Sequence, residues 1–410
     1  MRRVAVTGLG VISPVGNSVE EFWQALLAGK NGIGPITRFD TEEFKVKIAA
    51  EVKDFDPSAY MDKDVVRKND LFTKYAVAAA VQAMADSGLE GKVDPSRLGV
   101  YFGTGVGGIK TLTDEQDKMH ERGARRVSPL FIPMMIANMA AGVIAIRFGA
   151  KGPCLPVVTA CSTGSNEIGE AFRAIKYGYA DAIIAGGAEA AITPIAVAGF
   201  TNCMALNTCN DPERASIPFD KERGGFVIGE GAGALVLEEY EHAVARGATI
   251  YAELKGYGNT CDAHHMTAPL PDGSGGAGAI SLAVEEAGAG TAKGIYINAH
   301  GTGTPLNDKS ETLSIKRALG EERARGALIS STKSMTGHML GAAGAVEAVA
   351  AVLALKTGNI PPTIGYRVPD EECDLNYVPN KAVQADVDLA LSISLGFGGH
   401  NACLAFVRGE

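Results

Sequence analysis

Short apolar runs that stop at small residues constrain the fold of this 410-residue chain more than any other feature. Residues 181–187 form one such run and end at a glycine pair, while 295–298 and 328–331 lead into stretches rich in Gly, Thr and Ser. Runs of this length are typical of buried strands, and segments between them show helical spacing of apolar residues. Strands that alternate with helices, together with 51 glycines for tight turns, predict an α/β protein.

A cysteine lies where one strand pattern changes into a helix pattern. We predict a strand over residues 156–160 and then a helix that ends near Gly178, because apolar residues recur at helical spacing at Ile168, Ala171, Phe172 and Ile175. Cys161 would then lie at the positive end of a helix, which can lower the pKa of its thiol. Five other cysteines are expected to be structural: Cys154, Cys203, Cys261, Cys373 and Cys403.

Two histidines and a lysine follow later strands. His300 comes directly after the strand over 295–298, and Lys333 and His338 lie in the stretch after the strand over 328–331. Open α/β sheets place their functional sites at such strand ends. A thiol can hold an acyl group while two neutral imidazoles stabilise negative charge on a second substrate. This combination favours carbon–carbon bond formation between thioesters over simple hydrolysis.

The stretches over residues 157–164, 298–304 and 331–338, in this order, resemble the β-ketoacyl-acyl-carrier-protein synthases. The resemblance is greatest to the stand-alone bacterial type II enzymes of fatty-acid elongation and runs over essentially the whole chain. It implies the thiolase fold, a duplicated five-layer α-β-α-β-α arrangement with two mixed sheets. Residues 1–250 would carry Cys161, and residues 251–410 both histidines. Strand–turn–strand segments at 225–239 and 390–407 agree with a duplication.

The resemblance also assigns roles to these groups. Cys161 would accept the acyl group as a thioester, and His300 and His338 would promote decarboxylation of a malonyl thioester and hydrogen-bond the enolate that results. Lys333 would be buried near the site and paired with a carboxylate, for which Glu347 is the candidate. Two acidic residues match positions that support the loop after the first histidine: Asp308 and Glu311.

Near the C-terminus, the glycines on both sides of Phe397 let an aromatic ring swing at low backbone cost. In the resembled family this phenylalanine gates the acyl pocket, and its backbone N–H joins that of the nucleophilic cysteine as the oxyanion hole. Both roles carry over to Phe397. The resemblance further implies two threonines for the phosphopantetheine arm (Thr302, Thr304), two residues of the acyl-pocket wall (Val106, Phe200), and one residue at the interface of a homodimer (Phe131).

The partner that the resemblance implies is acyl carrier protein, loaded with an acyl or a malonyl group. That protein is acidic and this chain has a net charge of −9, so docking would need a local basic patch. The same charge argues against nucleic acid as the main partner. Two basic clusters are candidates, namely Lys63 with Arg67 and Lys68, and Arg125 with Arg126. A third family position, usually basic, is Cys209 here, with Arg214 nearby.

No organic cofactor is expected, because phosphopantetheine arrives on the carrier protein. The family allows a monovalent cation near Asn298, Glu347 and Ser392. We predict no zinc site, because no second ligand pair accompanies Cys261, His264 and His265. We expect a cytoplasmic protein without a membrane span or targeting segment, since the seven cysteines are scattered and an apparent strand begins within a few residues of Met1.

Related proteins offer four competing interpretations. A thiolase would have a cysteine where this chain has His338, an initiating synthase would have an asparagine there, and a catalytically silent partner subunit would lack Cys161. A stand-alone ketosynthase of polyketide assembly keeps the same catalytic residues. The sequence therefore favours fatty-acid elongation and leaves the polyketide ketosynthase as the alternative.

Overall fold

The computed structural model describes residues 1–409, in which strands and helices alternate. The strands are β1 Val4–Ile12, β2 Gly34–Pro35, β3 Ile48–Ala49, β4 Leu98–Gly103, β5 Cys154–Leu155, β6 Ala182–Glu189, β7 Gly231–Glu239, β8 Ala252–Cys261, β9 Ile295–Asn298, β10 Leu328–Ser330, β11 Asn359–Ile360, β12 Val383–Gln384, β13 Leu389–Gly396 and β14 His400–Val407. The α-helices are α1 Val19–Leu27, α2 Lys63–Lys68, α3 Leu71–Ser87, α4 Ile109–Arg122, α5 Phe131–Met135, α6 Met139–Phe148, α7 Thr163–Lys176, α8 Pro194–Asn202, α9 Pro212–Ala215, α10 Tyr240–Ala245, α11 Ser274–Glu286, α12 Pro305–Leu319, α13 Glu321–Gly326, α14 Lys333–Thr336 and α15 Ala343–Thr357. This alternation confirms the predicted α/β class.

The strand order repeats itself. The main sheet runs β5-β4-β6-β7-β1-β8-β14-β13-β9-β10. From each outer edge inwards, the large-sheet strands occur in the chain order third, second, fourth, fifth, first. On each side the two outer pairings are parallel and the next two are antiparallel. This repeat supports the expected duplication, while the division of the chain at residue 250 stays a prediction.

The two five-stranded halves join edge to edge. β1 and β8 pair antiparallel at Val4↔Leu254, Ala5↔Glu253 and Val6↔Ala252. The two mixed sheets expected from the sequence are therefore continuous, as one ten-stranded sheet whose centre is this short pairing.

Two helices, α7 and α15, pack on each other and on strands of both halves. They approach closely because glycines meet the facing backbone. A Cβ on Gly164 would lie 2.6 Å from the backbone nitrogen of Ala345, and a Cβ on Gly344 would lie 2.8 Å from that of Ser165. Helices α3 and α11 cover the outer faces of the first and second halves. The segment Leu340–Thr357 has the length and composition of a membrane span, but it is 89% buried inside the protein, as a core helix is.

The strand predicted over residues 156–160 is wrong. β5 is only Cys154–Leu155, and residues 156–159 are irregular. Side chains of the following helix take the backbone donors that a neighbouring strand would otherwise bind. The Glu167 carboxylate accepts from Val157 N–H, and the Thr163 hydroxyl accepts from Thr159 N–H. The helix predicted beyond Cys161 is confirmed as α7.

The two predicted strand–turn–strand segments have different outcomes. Residues 390–407 form the antiparallel hairpin β13–β14, which is paired from Leu389↔Val407 to Gly396↔His400. In 225–239 only β7 is a strand, so the predicted hairpin is wrong there. Ile228 instead forms a single bridge with His338. The segment before β7 is thus used to position a candidate site residue.

Candidate active site

Cys161 lies in the 3₁₀ turn Ala160–Ser162, directly before α7. Its side chain is buried in an apolar cluster with Phe226 and Leu340. Burial raises the pKa of the Cys161 thiol to about 12, although the charge of Lys333 and a backbone hydrogen bond from Phe397 act to lower it. A helix N-terminus can lower the pKa of a thiol, but at this buried site desolvation of the thiolate outweighs the nearby positive charge. The resting thiol is neutral.

The Phe397 loop is held against the cysteine turn. A Cβ on Gly396 would lie 2.8 Å from Thr159 O and 3.0 Å from Ser162 Oγ, so only glycine allows this approach. The Ser162 hydroxyl donates to His400 O over 2.8 Å, which closes the contact from the other side of the loop. The backbone N–H of Phe397 thereby reaches the sulfur of Cys161. This is the placement that an oxyanion-hole donor requires.

His300 is fixed through its backbone. The Glu311 carboxylate accepts from His300 N–H over 2.6 Å and from Gly301 N–H over 2.8 Å. The ammonium of Lys333 donates to His300 O over 2.6 Å. Burial raises the pKa of Glu311 to about 7, opposed by these backbone hydrogen bonds. Glu311 thus supports the loop, as expected, without contacting the imidazole.

His338 is fixed in a similar way by the segment before β7. Its N–H donates to Val227 O over 2.7 Å, and Gly229 N–H donates to His338 O over 2.9 Å. Its ring packs edge-on against the Phe226 ring, with centroids 5.0 Å apart. Phe226 and its neighbours were not predicted as site residues from the sequence. The only signal was the glycine-rich stretch around them, which was interpreted as a hairpin.

Both imidazoles are buried beside a positive charge. Their ring centroids lie 5.3 Å apart at an angle of 88°. Burial lowers the pKa of both rings well below 6.5, and the charge of Lys333 lowers the pKa values further. His300 and His338 are therefore neutral near pH 7. A neutral imidazole can donate one hydrogen bond to a developing oxyanion without first losing a proton.

The predicted partner of Lys333 is present. The ammonium forms a buried ion pair with the Glu347 carboxylate, and both side chains are at most 2% exposed. Burial raises the pKa of Glu347, and the Lys333 charge opposes that rise. Lys333 also donates to His300 O, and its charge acts on the Cys161 thiol. The ion pair therefore holds the backbone of His300 in place and also sets the charge near Cys161.

Asp308 anchors the loop after His300 from its other end. Its buried carboxylate accepts from Phe219 N–H over 2.8 Å and from Gly303 N–H over 3.2 Å. The Nε atom of Arg223 lies 3.6 Å from the same carboxylate. Arg223 was not identified from the sequence, because its partner is 85 residues away along the chain. Asp308 is therefore a supporting residue, as expected.

One cavity of about 250 Å³ contains most of the predicted catalytic and substrate-binding residues. Its lining includes the thiol, both imidazoles, the gate, both threonines and one pocket-wall residue: Cys161, His300, His338, Phe397, Thr302, Thr304 and Phe200. The hydroxyls of Thr302 and Thr304 lie 2.9 Å apart. Val106 and Phe131 do not line this cavity, and Val106 is 41% exposed in the single chain.

The candidate docking residues are all exposed. Lys63, Arg67 and Lys68 belong to α2, where Arg67 and Lys68 each pair with Asp64. Arg125 and Arg126 lie in the 3₁₀ turn Ala124–Arg126, which packs on α4. Neither arginine has an acidic partner within residues 1–409. Arg214 is unsuited to replace the missing third contact, because Asp220 and Glu222 bind its guanidinium.

Comparison with known proteins places this geometry in a family. Residues 1–243 match the family model described as "Beta-ketoacyl synthase, N-terminal domain", and residues 251–367 match the model of its C-terminal domain. Two proteins named 3-oxoacyl-[acyl-carrier-protein] synthase 2 are similar over nearly their whole length. The one from Synechocystis sp. is 53% identical over 99% of this chain and 98% of its own. The one from Vibrio harveyi is 52% identical over 99% of each.

Solved structures agree. A beta-ketoacyl synthase from Burkholderia phymatum is 36% identical and superposes with a TM-score of 0.92 over all of both chains. A type II polyketide ketosynthase in complex with its acyl-carrier protein is 35% identical, also with a TM-score of 0.92 over all of both chains. The thiolase fold expected from the sequence is confirmed by these superpositions. The chain belongs to the beta-ketoacyl synthase family of condensing acyltransferases.

Proposed function

We propose that this protein is an elongating 3-oxoacyl-[acyl-carrier-protein] synthase, which condenses acyl-ACP with malonyl-ACP in fatty-acid synthesis. The observation that carries the proposal is one cavity that holds a buried thiol and two neutral imidazoles. Relatives at 53% and 52% identity that bear this name support it. Cys161, His300, His338, Lys333 and Phe397 form its catalytic site.

The first half-reaction loads the enzyme. The sulfur of Cys161 attacks the thioester carbon of acyl-ACP, and its proton passes to the departing phosphopantetheine sulfur. The backbone N–H groups of Cys161 and Phe397 stabilise the oxyanion that forms at the carbonyl. One thioester replaces another, so the step is nearly balanced in free energy and the acyl group waits on Cys161.

The second half-reaction forms the new bond. Malonyl-ACP binds, the carbon–carbon bond between its methylene and its carboxylate breaks, and CO2 leaves. The electron pair forms an enolate whose oxygen accepts hydrogen bonds from His300 and His338. The enolate carbon attacks the acyl carbon on Cys161, and the Cys161 thiolate leaves and takes up a proton from solvent. The product is a 3-oxoacyl-ACP that is two carbons longer.

The carrier arm enters past the two threonines. Thr302 and Thr304 line the cavity together with His300, and their hydroxyls provide donors and acceptors for the amides of phosphopantetheine. The carrier protein itself docks on the basic residues of α2 and of the Ala124–Arg126 turn. Asp70, the N-cap of α3, directly follows α2, and its carboxylate accepts from Thr111 N–H in α4. Because the Ala124–Arg126 turn packs on α4, this bond connects the two basic regions.

We infer a homodimer in which Phe131 and Val106 complete the acyl pocket of the two subunits. β5 is an edge strand that pairs only with β4. Large apolar side chains on and around it are exposed in the single chain, among them Leu155 at 50%, Val158 at 52% and Ile146 at 80%. An apolar patch beside an unpaired strand edge marks an interface. Sedimentation at micromolar concentration should show a dimer, and a monomer would contradict this inference.

The residues around Lys333 fit a monovalent cation. Asn298 and Ser392 are directly opposed in the parallel pair of β9 and β13. The Asn298 Oδ1, Ser392 Oγ and Glu347 Oε2 atoms are buried without a hydrogen-bond partner among residues 1–409. Three buried oxygens without hydrogen-bond partners suit a hard cation, whose charge would compensate the Glu347 oxygen that Lys333 does not bind. Elemental analysis of the dialysed protein tests this.

We further propose that the protein acts in the cytoplasm. Its seven cysteines are free thiols, and four of them are exposed and would be oxidised readily outside a reducing compartment. Retention of catalytic activity only under reducing conditions would agree with this proposal.

A polyketide ketosynthase is the second candidate, because a type II polyketide ketosynthase and the ishigamide ketosynthase/chain length factor superpose with TM-scores of 0.92 and 0.93. The two candidates differ in product. The protein is incubated with octanoyl-ACP and excess malonyl-ACP, without a reductase, and the carrier-bound products are measured by mass spectrometry. We expect a single extension to 3-oxodecanoyl-ACP. Serial extension to poly-β-ketones would support the polyketide function, and no extension would overturn both.

A further inference from the structure

A buried carboxylate outside the described catalytic groups joins two loops of the site. Glu189 is the last residue of β6 and has no exposed surface. Within residues 1–409 no Lys, Arg or His forms an ion pair with it. Its Oε1 accepts from Thr104 Oγ1 over 2.7 Å and from Val106 N–H over 3.2 Å. Its Oε2 accepts from backbone N–H groups of Gly105 over 2.9 Å and Gly341 over 3.0 Å.

These four bonds connect the turn after β4 with the turn after His338. The first turn carries Val106, and the second begins the 3₁₀ segment Leu340–Ala342. The two backbones touch, since a Cβ on Gly341 would lie 2.3 Å from Gly105 N. A Cβ on Gly105 would in turn lie 3.4 Å from the carbonyl oxygen of Ala160. The Glu189 carboxylate therefore lies where three parts of the site meet.

Two of these parts have an unfavourable backbone conformation. Leu340 has φ 47° and Ala160 has φ 51°, in the left-handed region that residues with a side chain rarely adopt. Such conformations persist only where the surroundings hold them. Leu340 lies two residues after His338, and Ala160 directly precedes Cys161. Gly341, which directly follows Leu340, donates its N–H to Glu189. Glu189 therefore binds the backbone next to the unfavourable conformation of Leu340.

We propose that Glu189 is a positioning residue that holds the Val106 turn and the Leu340–Gly341 turn together, so that it fixes His338 and sets which acyl chain lengths the enzyme accepts. The chain-length part rests on the proposed function, in which Val106 belongs to the acyl pocket. Burial raises the pKa of Glu189 to about 7, and its four hydrogen bonds oppose the rise because they favour the ionised carboxylate.

The test replaces the carboxylate by an amide of the same shape. In Glu189→Gln, an NH2 group would face either the Gly341 and Gly105 donors or the Thr104 and Val106 donors, and at least one loop loses its acceptor. We expect kcat for condensation to fall about tenfold or more, because small misplacements of reacting groups are costly. We also expect the kcat/KM ratio between octanoyl-ACP and hexadecanoyl-ACP to change by about threefold or more, a shift of a few tenths of a kcal/mol or more in selectivity.

Glu238→Gln is the matched control. Glu238 is equally buried, lies on the neighbouring strand β7, and binds Thr7, His242 and Arg246 away from the cavity. Hydrogen exchange gives a readout that does not depend on the reaction. The peptide containing Gly105 and Val106 should exchange faster in Glu189→Gln in either orientation of the amide, because one of its N–H groups always loses its acceptor. The peptide containing Gly341 should also exchange faster when the NH2 group faces Gly341, and neither peptide should change in Glu238→Gln.

Equal kcat per folded molecule, equal chain-length ratios and equal exchange in the two variants would overturn the proposal. If Glu189→Gln does not fold, Thr104→Val removes one of the four bonds. It should shift the chain-length ratio in the same direction by a smaller amount, and an unchanged ratio would equally overturn the proposal. Failure of the wild-type protein to condense any acyl-ACP would refute the proposed function, whereas the exchange result would still decide whether Glu189 holds the two turns.

Discussion

Single residues at this site have protonation states that their surroundings impose. The thiol of Cys161 and the rings of His300 and His338 are all buried next to Lys333. Burial disfavours the charged form of each group, so the thiol stays protonated and the imidazoles stay neutral. The positive charge of Lys333 is balanced by Glu347. The resting site thus holds neutral donors that are ready for charge to develop on the substrate.

The two imidazoles should act without the thiol. In Cys161→Gln the amide imitates an acylated cysteine, so we expect condensation to stop while malonyl-ACP still loses CO2. CO2 release from labelled malonyl-ACP measures this. Cys203→Ala is the control, because Cys203 lines the same cavity and has no proposed role, and it should retain both activities. Complete loss of decarboxylation in folded Cys161→Gln would contradict the role of the two histidines.

The histidine rings should remain neutral far into the acidic range. Their folded-state pKa values lie below the ordinary 6.5, so below pH 6.5 the unfolded chain binds more protons and these rings cost stability as the pH falls. Nitrogen NMR of labelled histidine rings, assigned with His300→Asn and His338→Asn, measures the titration directly. We expect neutral rings at pH 6. Titration of either ring near pH 6.5 would show that burial does not control these groups.

At the scale of elements, two helices and the strands β6, β9 and β10 were predicted correctly from the sequence, whereas two other short segments were not. α7 and α15 were recognised because each presents many apolar residues at helical spacing. The strand over 156–160 was wrong because Glu167 and Thr163, on the following helix, take its backbone donors. The first hairpin was wrong because Ile228 pairs with His338, 110 residues away. Local pattern carries no information about such long-range partners.

The same limit applies to the site. Its thiol, imidazoles and lysine were predicted because each lies in a short stretch rich in Gly, Ser and Thr. The groups that hold them, such as Glu189, Phe226 and Arg223, lie in ordinary surroundings in the sequence. Only the folded backbone brings Glu189 to Gly341, 152 residues further on. The candidate reactive groups could therefore be predicted from short local stretches, whereas Glu189, Phe226 and Arg223 could not.

The contact between the hairpin loop and the cysteine turn should be sensitive to one methyl group. In Gly396→Ala the new Cβ would lie 2.8 Å from Thr159 O, closer than real Cβ contacts, and must push Phe397 away from Cys161. We expect acylation of Cys161 to slow about tenfold or more. Gly290→Ala is the control, since a Cβ there meets no atom within 4 Å. Equal acylation rates in the two variants would contradict this account of the loop.

At the scale of the whole molecule, the net charge opposes the partner that the site requires. With a charge of −9 the protein repels an acidic carrier on average, so association depends on a local basic surface. The ten-stranded sheet brings the strand ends of both halves to one cavity. The exposed arginines near α4 are free of acidic partners within residues 1–409, which leaves their charge available for docking.

Charge reversal at these arginines should affect the carrier alone. We expect Arg125→Glu with Arg126→Glu to raise KM for acyl-ACP about tenfold at low salt, and to leave transfer from a small acyl thioester unchanged. Lys293→Glu with Lys381→Glu makes the same change in net charge at two other exposed lysines. An equal rise in KM for both double variants would show that net charge alone causes the effect. No rise in KM for the arginine variant would exclude this docking surface.

Cys161 should carry the acyl group between the two half-reactions. Intact-protein mass spectrometry after incubation with octanoyl-ACP, followed by malonyl-ACP, measures this acyl group on the protein. We predict an octanoyl adduct on the wild-type protein that maps to Cys161, is absent from Cys161→Ala, and disappears as 3-oxodecanoyl-ACP forms. An adduct that persists in Cys161→Ala, or one that malonyl-ACP cannot discharge, would contradict the account.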